Sequence, residues 1–333
     1  MVSYQTKNRL RRGVKIALLV LSLLLLLAIV RFIYLERFLV YDKNGVHLDL
    51  GGGVATLVDQ TAAQKQEDFP LIREDASGTE VEQPQNGSLK RLSGVSVTAA
   101  QLLEEDVRGA LSGYAENAIL LDVKTATGKF LYPTEQAHAD VSAQAGEVAA
   151  LIKQLKSGHG TTRIARLPAF SDRAFALADF SHSLAIKGGA LWMDANGSYW
   201  LDPASEDTQS YLIAIAKELS RLGFDEVVFD NFNFPKSTSL VYSGDGKQAC
   251  RDAAAKIAEA LSGTGIACSF VSDDEEILAR SAHAYIPLTD NMMISSLIGE
   301  YAELFPNEAS LVFLTDSRDS RLGQCSMLSP WTE

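Results

Sequence analysis

Acidic side chains recur in this chain just after apolar runs, and that placement is the first hint of chemistry. Asp122 closes AILLD and Asp230 closes EVVFD, while Asp273, Asp274, Glu275 and Glu276 come shortly after GIACSF. Asp290 follows HAYIPL and Asp316 follows ASLVFLT. Carboxylates converging on one place suit glycoside hydrolysis, in which one acid protonates the leaving oxygen and another attacks carbon or activates water. An acid just after a strand also serves as a helix N-cap or a solvated loop residue, so each has a structural reading beside the chemical one. Asp230 stands apart. It ends an apolar strand run rather than lying in a capping run, where burying a carboxylate is costly unless it is paired.

Other chemistries find little support. His47, His138, His159, His182 and His283 show no HExxH or paired spacing, and no GxSxG elbow or Walker motif occurs. Cys250, Cys268 and Cys325 have neither a zinc-like nor a disulfide-framework spacing; Cys250 and Cys268 lie in stretches that read as core. Gly51, Gly52 and Gly53 have no amphipathic helix after them, which speaks against a dinucleotide site. No metal and no cofactor is expected.

The elements that must position the acids begin at Gly94. Apolar runs and helical segments alternate: strands are expected over 94–99, 118–124, 161–170, 224–235, 265–270, 283–288 and 309–315, with helical stretches between them. AILLDVK is a near-continuous apolar run of the kind buried on both faces of a parallel sheet. Seven such units predict a parallel α/β fold, and the ~240 residues available suit a (β/α)8 TIM-type barrel of ~250. Only GQCSML, 323–328, remains for an eighth strand, and no helix follows it. A doubly wound sheet would need a glycine-rich first turn, which VTAAQLLEE lacks. In a barrel the chemistry sits where the strands end, which is where the acids lie.

Before the barrel, residues 1–13 form a basic tail and Val14–Leu35 an apolar stretch long enough to cross a bilayer. Lys7, Arg9, Arg11, Arg12 and Lys15 precede its core, and IVRFIYLERF after it offers no small-x-small cleavage site. The positive-inside rule then predicts an uncleaved single-pass anchor in a bacterial cell membrane, its N-terminus cytoplasmic and its body extracytoplasmic. Residues 36–58 read as a juxtamembrane β-like segment and 59–92, rich in Gln, Glu, Asp, Ser, Gly and Pro, as a flexible linker. The barrel is expected over 93–333. Removing the five N-terminal charges from the net charge of −12 leaves −17 on the rest. So acidic a body repels phosphate backbones and excludes nucleic acid, leaving neutral or cationic sugars acceptable.

Five segments resemble one family in the same order. GFDEVVFDNFNFP is similar to the GFDEIQFDYVRFP signature of the bacterial glycoside-hydrolase-type barrels first catalogued as a domain of unknown function. ILLDVKTATGKFLY resembles that family's VIDVKDDSGRVxY, and IARLPAFSD its IARIVVFKD. GALWMDANGSYWLDP resembles GGLWRDxxGxxWLDP, and IAIAKELSRLGFDE resembles IAIAKEAAxxGFDE. The resemblance implies a TIM barrel of the α-amylase-like superfamily acting on carbohydrate, a polysaccharide or cell-envelope glycan.

It places Asp230 at the nucleophile position; the likeness fades after the fifth strand, and the proton donor is expected, from the rim acids themselves, to be Asp273, Asp274 or Asp316. It also implies substrate contacts for Asp122, Lys124, Arg166, Trp192, Trp200, Asp202 and Glu226. Period-two alternation puts Glu226 and Asp230 on one interior face, and an interior arginine such as Arg166 is expected to hold Asp122 or Asp230. Tryptophans at such spacing more often pack a loop onto the barrel than stack on a sugar. Where the family has Tyr and Arg, this chain has Asn231 and Asn233, and Thr125 replaces an acid. Asparagines suit sugar hydroxyls, having donor and acceptor on one planar group. Two readings therefore stand: a glycosidase, or a barrel that holds envelope glycan or serves as an interaction scaffold without cleaving.

Overall fold

The computed structural model describes residues 39–42, 45–48, 90–157 and 160–332. The chain divides into two units, Met1–Glu80 and Val81–Glu333. In the first, Leu39–Asp42 pairs antiparallel with Gly45–Leu48. The expected tail over 1–13, anchor over 14–35 and most of the linker over 59–92 lie outside the described residues. No described helix is long and apolar enough to cross a membrane.

The second unit carries eight parallel strands: β1 (Ser93–Val97), β2 (Ala118–Asp122), β3 (Thr162–Pro168), β4 (Glu226–Asp230), β5 (Ala267–Phe270), β6 (Ala284–Pro287), β7 (Leu311–Leu314) and β8 (Ser326–Pro330). They hydrogen-bond in the order β6-β7-β8-β1-β2-β3-β4-β5. The weakly marked eighth strand is real and decides the architecture. It pairs with β7 on one side and β1 on the other, bending the sheet round on itself. At the remaining seam between β5 and β6, the Ala282 amide donates to the Cys268 carbonyl at 2.9 Å. The barrel is nearly closed.

Alternation along each strand sorts two cores. Ala118, Leu120, Ile164, Val228, Tyr285, Val312 and Leu328 fill the interior, while Ile119, Leu121, Ala165, Leu167, Val227 and Phe229 face the helices. Every residue from Ala118 to Leu121 is fully buried, as expected of a strand covered on both faces. Cys250, Cys268 and Cys325 are buried free thiols, with Cys250 and Cys268 in the outer core.

Among the helices, α1 (Ala99–Leu102) and α2 (Glu105–Leu111) follow β1, and α3 (Ala145–Ser157) follows β2. Next come α4 (Arg173–Ala178) and α5 (Glu206–Leu222) after β3, α6 (Gly246–Leu261) after β4, α7 (Glu275–Leu278) after β5 and α8 (Ile294–Tyr301) after β6. Helix α5 aims β4. The Ser205 hydroxyl caps its start, and Gly223, at φ 103°, ends it in the left-handed conformation that glycine adopts without strain. Two residues on, Asp225 takes the Arg163 guanidinium on both oxygens, pinning the start of β4 to β3. The second half of the barrel is leaner. Between β7 and β8 the only helical turn among the described residues is Ser320–Leu322.

Candidate active site at the mouth of the barrel

The C-terminal halves of β2, β3 and β4 bring three charged side chains toward the mouth: Asp122 and Asp230 as last strand residues and Arg166 two residues before the end of its strand. Asp122 and Arg166 are register partners on β2 and β3, so their side chains emerge side by side. Arg166 Nε donates to Asp122 Oδ1 at 2.6 Å and Nη2 to Oδ2 at 3.1 Å, a two-point grip on a partly buried carboxylate. Burial alone would lower the Arg166 pKa. The hydrogen bonds and charge of Asp122, joined by the charge of Asp230, raise it instead.

Asp230 ends β4 half-buried, on the same interior side. Its Oδ1 accepts the Asn231 amide at 2.8 Å, and no other described group bonds its carboxylate. Asn231 stands at φ 55°, in the left-handed region that Asn enters more readily than most residues. The chain turns out of the strand there, with the next residue's amide orienting the carboxylate.

Glu226 shares that interior face but lies four residues down the strand, about 13 Å at 3.3 Å per residue. It is 2% exposed, far from the mouth. Ser269 Oγ donates to its Oε1 at 2.6 Å and His283 Nδ1 lies 2.9 Å from Oε2. Above this pair the buried Tyr285 hydroxyl has no hydrogen-bond partner among the described residues. Burial and the nearby Glu226 charge push its pKa far up, against a smaller opposing effect of Arg166. Sequence reasoning passed over Tyr285. The alternation in HAYIPL, which turns His283 and Tyr285 to the side opposite Ile286, was the available signal.

The remaining rim acids separate clearly. Asp274 is 2% exposed, caps the Glu276 amide and binds Arg251 and Lys247. Burial would raise its pKa, but those cations and the amide bring it below the usual carboxylate range. Asp290 caps the Met292 amide. These two are the helix caps that sequence alone allowed. Asp273 is exposed and pairs with Lys236 at 3.1 Å. Asp316 is exposed after β7 and has no side-chain partner among the described residues. Asn233 Oδ1 accepts Ser272 Oγ at 2.7 Å and the Asp273 amide at 3.0 Å, tying the loop after β4 to the loop after β5.

Four other expected contacts are held by neighbouring side chains. Lys124 is 2% exposed, with Nζ 2.8 Å from Asp172 Oδ2 and over the rings of Phe130 and Tyr211. Asp172 also caps the Phe175 amide at the start of α4 and accepts the Tyr211 hydroxyl. Trp200 is 6% exposed and donates to Asp194, and Trp192 meets it edge to face while donating to Ser237. Asp202 accepts the Ala204 amide and the Tyr242 hydroxyl. The tryptophan pair packs the excursion after β3 against the body. Among the described residues no group of His, Cys, Asp and Glu is placed to hold a metal.

No curated protein matches the chain. Among solved structures it is similar to a hypothetical protein from Ruminiclostridium thermocellum, at 22% identity over 56% of this chain and 99% of that one, TM-score 0.48. It is similar to Aspergillus fumigatus Ega3 in complex with galactosamine, at 10% identity over 76% and 96%, TM-score 0.47. A third is the glycoside hydrolase domain of a PelA variant from Pseudomonas aeruginosa, at 15% identity over 72% and 94%, TM-score 0.45. A family model described as "Putative glycosyl hydrolase domain" matches residues 92–269, from the edge of β1 to the third residue of β5. That span takes in Asp122, Arg166 and Asp230 and covers more than half of the sequence. The chain belongs to that glycosyl hydrolase family.

Proposed function

We propose that the barrel hydrolyses glycosidic bonds of a polysaccharide, with Asp230 as nucleophile or general base. The observation that supports this is the state of the Asp230 carboxylate. It stands at the C-terminal mouth with one oxygen oriented by the Asn231 amide and the other without a partner among the described residues. Barrel enzymes carry their chemistry at that end. The free oxygen would attack the anomeric carbon, or take a proton from an attacking water, while a second acid protonates the leaving oxygen. Asp316, exposed and unpaired, and Asp273, exposed beside Lys236, are the candidate donors. Asp122, held by Arg166, would shape the mouth with Asn231 and Asn233.

A second reading, glycan binding without cleavage, draws support from the rim acids. Asp274 is sequestered by Arg251 and Lys247, and Asp273 is tied to Lys236. Asp230→Asn separates the two. Assayed on cell-envelope and environmental polysaccharides, a hydrolase loses turnover by roughly ten-thousand-fold or more while keeping its fold and much of its affinity. A binding protein shows no wild-type turnover and a modest change in affinity. Hydrolysis that survives the substitution undiminished removes Asp230 from the mechanism.

The location proposed with this function is a bacterial cell surface, the barrel outside and anchored through 14–35. The charge asymmetry and the absent cleavage site support it. Protease added to intact protoplasts should digest the barrel; complete protection would overturn the topology.

A further inference from the structure

Outside the barrel wall, the loop after β2 and helices α4 and α5 enclose an open groove of about 580 Å³. That size falls in the range of small-molecule sites, ~300–1,000 Å³. The groove shares no lining residue with the acids of the mouth. Its apolar lining is built by Phe175 and Tyr211, stacked at 4.0 Å, with Ala178 and Ala214, whose small side chains leave the space open. Within its polar lining, Gln136, Asp179, His182 and Tyr211 already hydrogen-bond the protein, and His182 stacks on Phe175. His138, Asp207 and Ser210 are exposed and have no side-chain partner among the described residues, and Asp179 is exposed beside them.

We propose that this groove is a second saccharide site, for an oligosaccharide free of anionic groups; the proposal rests on the carbohydrate reading above. An apolar strip flanked by a hydroxyl, an imidazole and carboxylates matches the amphipathic faces of a sugar ring. Each of those groups has an open donor or acceptor for ring hydroxyls. Charge narrows the class. Asp179 and Asp207 line the groove and no Lys or Arg does, so uronates, sulfated sugars and phosphates are repelled while neutral or amine-bearing sugars are accepted. The groove is also joined to the mouth. Tyr211 bonds Asp172, Asp172 pairs with Lys124, and Lys124 lies two residues beyond Asp122.

The test uses full-length protein on an array of neutral, amine-bearing and anionic oligosaccharides, with the mouth obstructed by Asp230→Arg or, at an exposed rim position, Asp316→Trp. Ser210→Trp and Ala178→Arg, both at exposed positions on opposite walls of the groove, are then added singly, with melting curves to show that each variant folds. The expected result is that mouth-obstructed protein still binds non-anionic glycans, and that each groove substitution weakens this binding at least tenfold. If obstructing the mouth alone abolishes all glycan binding, the groove proposal falls and the carbohydrate reading stands. Residual binding indifferent to both groove substitutions also overturns it. Binding of anionic glycans through the groove overturns the assigned class. If wild-type protein binds no glycan at all, the proposal and the reading beneath it fall together.

Discussion

Arg166 holds Asp122 through both carboxylate oxygens, while its charge also reaches Asp230 without a hydrogen bond between them. The pairing follows from register, since Asp122 and Arg166 are neighbours across β2 and β3. Asp122→Asn keeps the shape but breaks a charge-assisted two-point contact, a loss of about 1.5–3 kcal/mol for hydrogen bonds to a charged group. Scanning calorimetry should show a fall of several degrees. Asp230→Asn, which leaves the Arg166–Asp122 pair intact, should cost much less. Equal falls would mean that Arg166 depends on Asp230 for its place.

The buried Glu226–His283 pair predicts a pH dependence of stability. Burial lowers the His283 pKa, but the charge and hydrogen bond of Glu226 raise it more, so the folded value lies above the ordinary 6.5. A raised folded pKa means that the protonated pair contributes its full stability below the unfolded value, and that this is lost as pH rises through the folded one. The melting temperature should therefore decline on the alkaline side of pH 6.5, and the profile of the double variant Glu226→Gln, His283→Gln should be flatter there. Parallel profiles for the two proteins would show that this pair does not titrate in that range.

The barrel needs residues just before its first strand. Leu92 fills the interior at 3% exposure, donates its amide to Ser326 Oγ at 2.8 Å, and accepts the Met327 amide at 2.9 Å. Arg91 accepts the Asn117 side-chain amide through its carbonyl. These contacts stitch β1 to β8 and β2, at the closure that makes the sheet a barrel. A chain beginning at Lys90 should melt cooperatively. One beginning at Gly94 should be destabilised by roughly 3 kcal/mol or more, the scale of removing one buried leucine. Indistinguishable melting of the two would show that the closure does not depend on them.

Legible from the sequence were the parallel α/β class and the position of Asp230 at the end of an apolar strand run. These are local properties: apolar runs of strand length, helical periodicity between them, and a carboxylate at the end of one run. The eighth strand was barely legible because Ser326–Pro330 mixes Ser and Pro with two apolar residues and no helix follows it among the described residues. Its identity came from pairing with β7 and β1, which no local pattern contains. Tertiary structure alone decided that Arg166 takes Asp122, that Glu226 lies deep beneath the mouth with Ser269 and His283, and that Lys124 turns into the wall to meet Asp172. It also decided that Trp192 and Trp200 pack against each other and that Asp274, one residue from Asp273, is captured by α6. Apart from the tryptophan pair, eight positions apart, each outcome depends on strand register and helix placement between residues more than twenty positions apart. Alternation names the face a side chain takes, whereas its depth along the barrel and its partner emerge only when the strands are brought side by side.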